Sequence, residues 1–243
     1  MCICCCANDI TARCSGPSNS SPSFSSPAFS GPAFSVASIV QGSAIGPVSY
    51  VVNAADLLPI TPGNEFCKYA DDTYLIIPAN NVNTRMAEIN NIKTWACANN
   101  LTLNLTKTVE IVFVDSKRMR QVQPPSPLAT ISRVSSLKVL GVTISSQQLS
   151  VSEHVSTVIS SCANFIYALR TLRSHGIHNE ALHLIYTSVI RAKLLYAASA
   201  WWRFTTATDR QRLEALIKQS IRSGLCHSVA LMFQYWRGNG RIS

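Results

Sequence analysis

Charged residues are scarce in this chain, and acidic residues are the scarcest of them. Only 14% of the 243 residues are charged, with 12 Asp or Glu against 21 Lys or Arg. No continuous apolar run reaches the length of a membrane-spanning helix, so the sequence predicts no membrane association. The N-terminus has neither a basic segment nor a continuous apolar segment, which argues against a signal peptide. A hydrophobic content of 47% allows a sizeable core, and the sequence predicts a soluble protein.

The first 36 residues differ in composition from the rest. They begin with a cluster of cysteines and continue with three near-copies of a pentapeptide that start at Ser21, Ser26 and Gly31. Sequence rich in serine and proline has too few apolar residues to offset the entropy lost on ordering, so we expect residues 1–36 to be disordered. No second CxxC-type pair or nearby histidine completes a zinc site. Acylation of the cysteine cluster is an alternative role.

The other four cysteines are scattered along the chain rather than paired in a motif. This distribution favours reduced thiols in an intracellular protein, either cytoplasmic or nuclear. They are Cys67, Cys97, Cys162 and Cys226.

Two adjacent carboxylates, Asp71 and Asp72, lie at the centre of an otherwise apolar segment. The flanking residues 66–70 and 74–77 have the composition of short strands, so the pattern predicts a hairpin with an acidic tip. Taken alone, an Asp-Asp pair between strands is most often a solvated turn. The alternative is a cation site, because paired carboxylates hold Mg²⁺ against phosphates.

The neighbouring motifs favour the cation site. Upstream, residues 41–47 read QGSAIGP and precede an apolar segment with helical spacing. Downstream, we predict an amphipathic helix over residues 83–100 and a strand over residues 101–114 that carries Lys107. In this order the motifs resemble the palm of reverse transcriptases, and they are most similar to those of non-LTR (LINE-type) retrotransposons.

This resemblance covers roughly residues 38–225 and implies an α/β fold. Residues 137–142 add a further match, since they resemble the LGV strand at the family's primer grip. The expected architecture is a partial polymerase palm, with an antiparallel sheet and helices, followed by an all-helical thumb. The expected boundaries are a leader at 1–36, the palm at 37–148, the thumb at 149–225 and a tail at 226–243. The expected strands are 66–69 paired with 73–77, then 108–114 and 138–144.

The resemblance also implies an activity, RNA-directed DNA polymerase, which is a nucleotidyltransferase that uses magnesium. Asp71 would be the principal ligand of two Mg²⁺ ions and Asp72 the second ligand. Lys107 would supply a proton or a positive charge to the leaving pyrophosphate, with an ordinary exposed strand lysine as the alternative. Gln41, Gly42 and Tyr69 would bind the template and the incoming base pair. The implied partners are an RNA template, a DNA primer and a dNTP, and the oligomeric state is not implied.

Two features depart from the family pattern. The family's metal site needs a further Asp before the QG motif, with nucleotide-binding fingers before that. The only acidic residue before Gln41 is Asp9, whose neighbours do not match, so we assign it no metal. Lys68 stands where the family has an uncharged residue, and we expect it to point to solvent. We therefore expect a truncated chain that is inactive alone. The alternatives are a non-enzymatic nucleic-acid-binding remnant and a fragment without function.

Beyond Ser150 the apolar residues recur with helical spacing. The pattern predicts a first helix that begins in a capping box at Ser150 and ends before Gly176. It predicts a second helix over about residues 180–200 with Asn179 as its cap, and a third that begins in a capping box at Thr208. Three such helices form a small bundle.

The positive charge is concentrated in and just before this helical region. Residues 116–222 contain fourteen Lys or Arg and four Asp or Glu. A basic lobe suits contact with phosphates, although each single cation is also consistent with a solvated surface charge. The candidates for contact with the nucleic-acid backbone are Arg170, Arg173, Arg191 and Lys193. Trp201 and Trp202 are candidates for stacking on a base, with packing in the core as the alternative.

Overall fold

The computed structural model describes the backbone of residues 2–7 and 10–12, and residues 52, 54–69, 72–114 and 124–226 in full. It divides the chain into two compact units between Ser135 and Ser136. Both units contain strands and helices, so the predicted α/β class is confirmed at this coarse level. No helix in the described ranges has the length and apolar character needed to cross a bilayer.

The first unit contains seven strands and one α-helix in its described part. In chain order they are β1 (Cys2–Ala7), β2 (Ile10–Ala12), β3 (Glu65–Tyr69), β4 (Asp72–Pro78), α1 (Arg85–Ala98), β5 (Leu101–Leu103), β6 (Val109–Phe113) and β7 (Ser132–Val134). Five strands form one sheet in the order β3-β4-β1-β6-β7. Its neighbouring strands are antiparallel except for the parallel pair β6 and β7. A 3₁₀ turn, Ala79–Thr84, connects β4 to α1.

The predicted acidic hairpin is confirmed as β3 and β4. Tyr69 pairs with Asp72, so the two strands are joined by Ala70 and Asp71, which lie outside the described residues. Leu75 and Ile77 are fully buried and belong to a core that also contains Ile89 of α1. The apolar flanks of the motif therefore hold the two strands of the hairpin in place.

The structure contradicts the expected disorder at the start of the leader. Cys2–Ala7 forms the middle strand of the five-stranded sheet, antiparallel to both β4 and β6. Ile10–Ala12 pairs with β5. The composition argument treated the leader as one segment, whereas residues 2–7 are only Cys, Ile and Ala, which are compatible with a strand. Residues 13–36, where the pentapeptides occur, lie outside the described residues.

The predicted strand over residues 101–114 is divided in two by a turn at Asn104. Its side-chain oxygen accepts hydrogen bonds from the backbone N–H groups of Thr106 (3.1 Å) and Lys107 (3.3 Å). Such an Asx turn ends β5, and the chain resumes as β6. Lys107 is therefore an exposed turn residue rather than a strand residue.

The second unit consists of a hairpin followed by helices. Its elements are β8 (Ser136–Val139), β9 (Val142–Ser145), α2 (Ser152–Ser174), α3 (Asn179–Ile185), a π-helical segment (Tyr186–Arg191), α4 (Ala192–Leu195), α5 (Ala198–Trp201), a 3₁₀ turn (Trp202–Phe204) and α6 (Ala207–Arg222). Its core includes Val155, Ile190, Trp201 and Leu213.

The predicted strand over residues 138–144 is instead the β8–β9 hairpin. Its turn is Leu140-Gly141, and both residues have positive φ, +44° and +87°. Two consecutive positive φ values are typical of the tight turns that match the twist of paired strands. The hairpin belongs to the helical unit, so the boundary lies between Ser135 and Ser136 rather than after residue 148.

The three predicted helices are present with corrected ends and one interruption. The first has Val151 as its N-cap and no side-chain cap, so the predicted box at Ser150 does not form. The second has His178 as its N-cap, and Ala197 at φ +48° interrupts it before α5. The third is capped by Thr206 rather than Thr208, because Asp209 and Thr206 form a reciprocal capping box.

Candidate functional site

Asp72, at the start of β4, and Lys107, in the turn before β6, lie at the same end of the sheet. Cys6 of β1 pairs with Tyr74 on one side and with Val109 on the other. Asp72 lies two residues before Tyr74, and Lys107 lies two residues before Val109. Because β4 and β6 are both antiparallel to β1, they run in the same direction. Two inter-strand spacings, about 10 Å, separate these strands.

Asp72 begins β4 and is partly exposed. The Tyr74 hydroxyl donates a long hydrogen bond of 3.4 Å to its Oδ2 atom. Tyr69, its partner across the hairpin, has 60% of its surface exposed. The structure therefore places Asp72, Tyr69 and Lys107 at the same end of the sheet. Asp71, Gln41 and Gly42 lie outside the described residues.

Lys68 does not point freely to solvent, contrary to expectation. Its Nζ atom donates to the backbone carbonyls of Ala54 and Leu57, each at 2.5 Å. Burial lowers the pKa of Lys68, and the negative charge of Asp56 opposes that shift. The ammonium group therefore anchors the turn at residues 54–57 to β3, just before the acidic tip.

Glu88 of α1 fixes the loop that leads into β3, and sequence reasoning missed it. Its carboxylate is fully buried and accepts hydrogen bonds from the backbone N–H groups of Ile60 (3.2 Å) and Thr61 (2.9 Å). The Asn64 side-chain amide donates a third bond of 2.8 Å to it. The available signal was its spacing of four residues from Ile92, which places it on the buried face of the helix.

Glu110 of β6 is a second buried carboxylate that sequence reasoning missed. It is fully buried and contacts Nη1 of Arg85 and Nη2 of Arg133, each at 2.7 Å. Arg133 falls within the basic residues 116–222, but in the structure it belongs to the first unit, where it pairs with Glu110. A single acidic residue in the run VEIVF was the available signal, because a charge on a buried strand requires a partner.

Two of the four predicted phosphate-binding cations contact the end of α6. Arg170 donates to the Ser223 hydroxyl through Nε at 2.9 Å. Arg173 donates to the Ser223 carbonyl, and to the Gly224 carbonyl at 3.0 Å. Basic side chains at a helix C-terminus stabilise its unpaired carbonyls. These two arginines therefore have a structural role in addition to any contact with a ligand.

The other two candidates lie on the segment after α3. Arg191 is partly exposed at the end of the π-helical segment, and Lys193 is exposed on α4. The Lys193 ammonium donates to the Ser161 hydroxyl at 2.7 Å and lies 5.5 Å from the centroid of the Phe165 ring.

The two tryptophans have different environments. Trp201 has 1% of its surface exposed, and its indole N–H donates to the Tyr196 carbonyl at 2.9 Å, so it is a core residue. Trp202 is partly exposed, with the Arg210 guanidinium 5.1 Å from its ring centroid. The stacking interpretation is therefore wrong for Trp201 and stays a prediction for Trp202.

The comparisons with known proteins add no family assignment. No family model matches the chain, and no curated protein matches it at the significance required. Within the described ranges, no group of three His, Cys, Asp or Glu side chains is placed to hold a metal ion, and Asp9 and Asp71 are not among those residues. Cys67, Cys97, Cys162 and Cys226 are free thiols.

Proposed function

We propose that this chain is a reverse-transcriptase domain of the non-LTR retrotransposon type, which binds an RNA template and a DNA primer. The observation that carries the proposal is the β3–β4 hairpin. Tyr69 and Asp72 are paired across it, which supports the assignment of the acidic motif to the connection between two antiparallel strands. Lys107 lies at the same end of the sheet, where its ammonium group would meet the leaving phosphates.

The carboxylates of Asp71 and Asp72 suit magnesium. Adjacent carboxylates are the hard oxygen ligands that Mg²⁺ prefers, and the partly exposed Asp72 would hold it together with Asp71. When bound, Mg²⁺ neutralises charge on the attacking and leaving oxygens of the transferred phosphate. The pair is one carboxylate fewer than the family's set.

The chain's own residues would act on the substrates in three ways. The exposed ring of Tyr69 offers a surface for the incoming base pair beside the acidic tip. Lys107 would place positive charge toward the pyrophosphate from the turn before β6. Lys68 would hold the hairpin against the turn at residues 54–57, so its role is to position the tip rather than to contact substrate.

Binding of nucleic acid without synthesis is the second candidate function. The excess of ten positive charges over residues 116–222 favours it, because such an excess attracts phosphates whatever the sequence of the nucleic acid. With only Asp9 as an acidic residue before Gln41, we expect the 243-residue chain alone to bind a template without extending a primer.

Primer extension on poly(rA)/oligo(dT) with Mg²⁺ tests the polymerase proposal. The variants are Asp71→Asn with Asp72→Asn, and Asp9→Asn. Glu65→Gln is the matched control, since it removes an exposed carboxylate from the same hairpin. Extension by the unmodified chain that is abolished in the double variant supports a polymerase. If Asp9→Asn also abolishes extension, Asp9 supplies the third carboxylate. Template retention without extension supports the second candidate, and the absence of both overturns the two proposals.

A further inference from the structure

A cavity of about 680 Å³ opens in the second unit, beside the β8–β9 hairpin. One side is formed by residues of this hairpin, and the other by α2 and the segment 188–196. Its volume falls within the range of about 300–1,000 Å³ that is typical of small-molecule sites. All its lining residues belong to one compact unit.

The cavity is cationic. Lys138 from β8 and Lys193 from α4 both line it, and no Asp or Glu occurs among the lining residues. Hydroxyl groups add polar atoms that are able to donate, among them Ser161, which already accepts a hydrogen bond from Lys193 at 2.7 Å. Ammonium and hydroxyl groups without a competing carboxylate match the needs of a phosphate group.

His154 adds a polar group that burial keeps neutral. Its ring lies edge-on to Trp201 at 5.4 Å between centroids, and it has only 6% of its surface exposed. Burial lowers the pKa of His154, and the positive charge of Lys138 lowers it further. Near neutral pH the imidazole therefore offers a donor or an acceptor to a ligand without adding a third positive charge.

Two aromatic rings also line the cavity. Phe165 lies on α2 and Tyr196 in the turn between α4 and α5, and they are 40% and 56% exposed. The Tyr196 hydroxyl donates to the Leu140 carbonyl at 2.9 Å, which holds its ring against the hairpin turn. A fixed, exposed ring beside cationic groups is suited to stacking on a nucleobase.

We infer that this cavity binds a nucleotide, with its phosphate between Lys138 and Lys193 and its base against the exposed aromatic rings. The ligand's chemistry is a phosphate ester that carries an aromatic base. A free nucleotide and a nucleotide within a single strand share this chemistry. The inference rests on the nucleic-acid-binding part of the proposed function, because Lys138 and Lys193 both belong to the basic residues 116–222. It does not rest on catalysis, since Asp71 and Asp72 are not among the lining residues.

Isothermal titration calorimetry of the full chain tests the inference. The three probes are inorganic phosphate, dAMP and a ten-nucleotide oligothymidylate without terminal phosphates. We expect dAMP to bind more tightly than phosphate, since only dAMP carries a base. The double variant Lys138→Gln, Lys193→Gln should weaken binding of dAMP or the oligonucleotide at least tenfold, because two charge-assisted contacts are lost. The control Lys93→Gln should leave it unchanged, since that lysine lies on α1 of the first unit, outside residues 116–222 and away from the cavity lining.

The two possible sources of the ligand give different rankings. Tighter binding of dAMP indicates a free nucleotide, and tighter binding of the oligonucleotide indicates a strand. Both lysines are exposed, so far-UV circular dichroism should be unchanged; if the double variant unfolds, Lys138→Gln alone is judged by the same tenfold criterion. Lys193→Arg should retain binding because it keeps the charge. Equal affinity in the lysine variant, or no binding of any probe at millimolar concentration, overturns the inference.

Discussion

Asp72 and Lys107 lie at the same end of the sheet, because Asp72 begins β4, Lys107 lies in the turn before β6, and both strands are aligned by pairing with Cys6. The relationship depends on β1, which separates β4 from β6 and keeps them in the same direction. In the proposed function, this carboxylate and this ammonium group would serve phosphate transfer, with a metal held on the acidic side. The site therefore depends on the N-terminal residues as much as on the hairpin motif.

A cation should bind at the hairpin tip. Replacing both Asp71 and Asp72 by Asn should remove the tightest Mn²⁺ site of the chain, because amide oxygens carry no net charge. The electron paramagnetic resonance signal of free Mn²⁺ measures this directly, since binding diminishes it. Glu65→Gln should leave the binding curve unchanged, and equal binding by the Asn variant would place the metal elsewhere.

Loss of the buried Glu110 carboxylate should destabilise the first unit strongly. In Glu110→Gln the guanidinium groups of Arg85 and Arg133 lose their charged partner inside the protein. Removing one member of a buried ion pair costs about 3–5 kcal/mol of the free energy of unfolding. Urea unfolding followed by circular dichroism measures the change.

The control for this experiment is Glu214→Gln, which breaks an exposed pair with Lys218 on α6. It should change the free energy of unfolding by about 0.5 kcal/mol or less. Similar effects of the two substitutions would show that the Glu110 cluster contributes no more than a surface pair.

The start of α6 offers a test with two neighbouring threonines. Thr206→Ala should lower the free energy of unfolding by about 1 kcal/mol, because the Thr206 hydroxyl accepts the hydrogen bond of the Asp209 N–H at 3.1 Å. Thr208→Ala should have an effect within about 0.5 kcal/mol, since Thr208 lies inside the first turn and does not cap it. If Thr208→Ala lowered the free energy of unfolding more than Thr206→Ala, measured by thermal or urea unfolding, Thr208 would be the cap, as the sequence predicts.

His154 should make the stability of the second unit depend on pH. Burial and Lys138 lower the pKa of His154 below its ordinary value of 6.5 in the folded state, so the unfolded chain binds the proton more readily. Its contribution to stability is therefore complete above pH 6.5 and is lost as the pH falls through the lowered pKa. Urea unfolding at several pH values should show this loss in the wild type and less of it in His154→Gln. Parallel pH curves for both proteins would contradict the assignment.

Local pattern predicted the elements whose signal lies within their own sequence. The hairpin of β3 and β4 is confirmed, because short apolar runs on both sides of a turn signal indicate paired strands. The long helix α2 is confirmed, because helical spacing of apolar residues identifies its buried side without knowledge of the partner. Of the candidate site, the sequence correctly placed Asp72 beside the hairpin turn. It placed Lys107 on a strand, whereas Asn104 forms a turn there.

Long-range pairing explains what the sequence did not predict. The position of Cys2–Ala7 between β4 and β6 depends on partners more than sixty residues away, and no local propensity specifies such partners. The buried carboxylates of Glu88 and Glu110 were missed for the same reason. Each is stabilised by donors from distant segments, which turn an unfavourable burial into a satisfied one.

Retention of a template and primer by the full chain tests the central claim most directly. The measurement is filter binding of labelled poly(rA)/oligo(dT) as salt is raised from 50 to 200 mM. Our account predicts retention at the lower concentration and a loss of affinity of about a hundredfold at the higher one, if about four phosphates are contacted. Absence of retention at 50 mM, or retention that does not depend on salt, would contradict the claim that this chain binds nucleic acid through its basic residues.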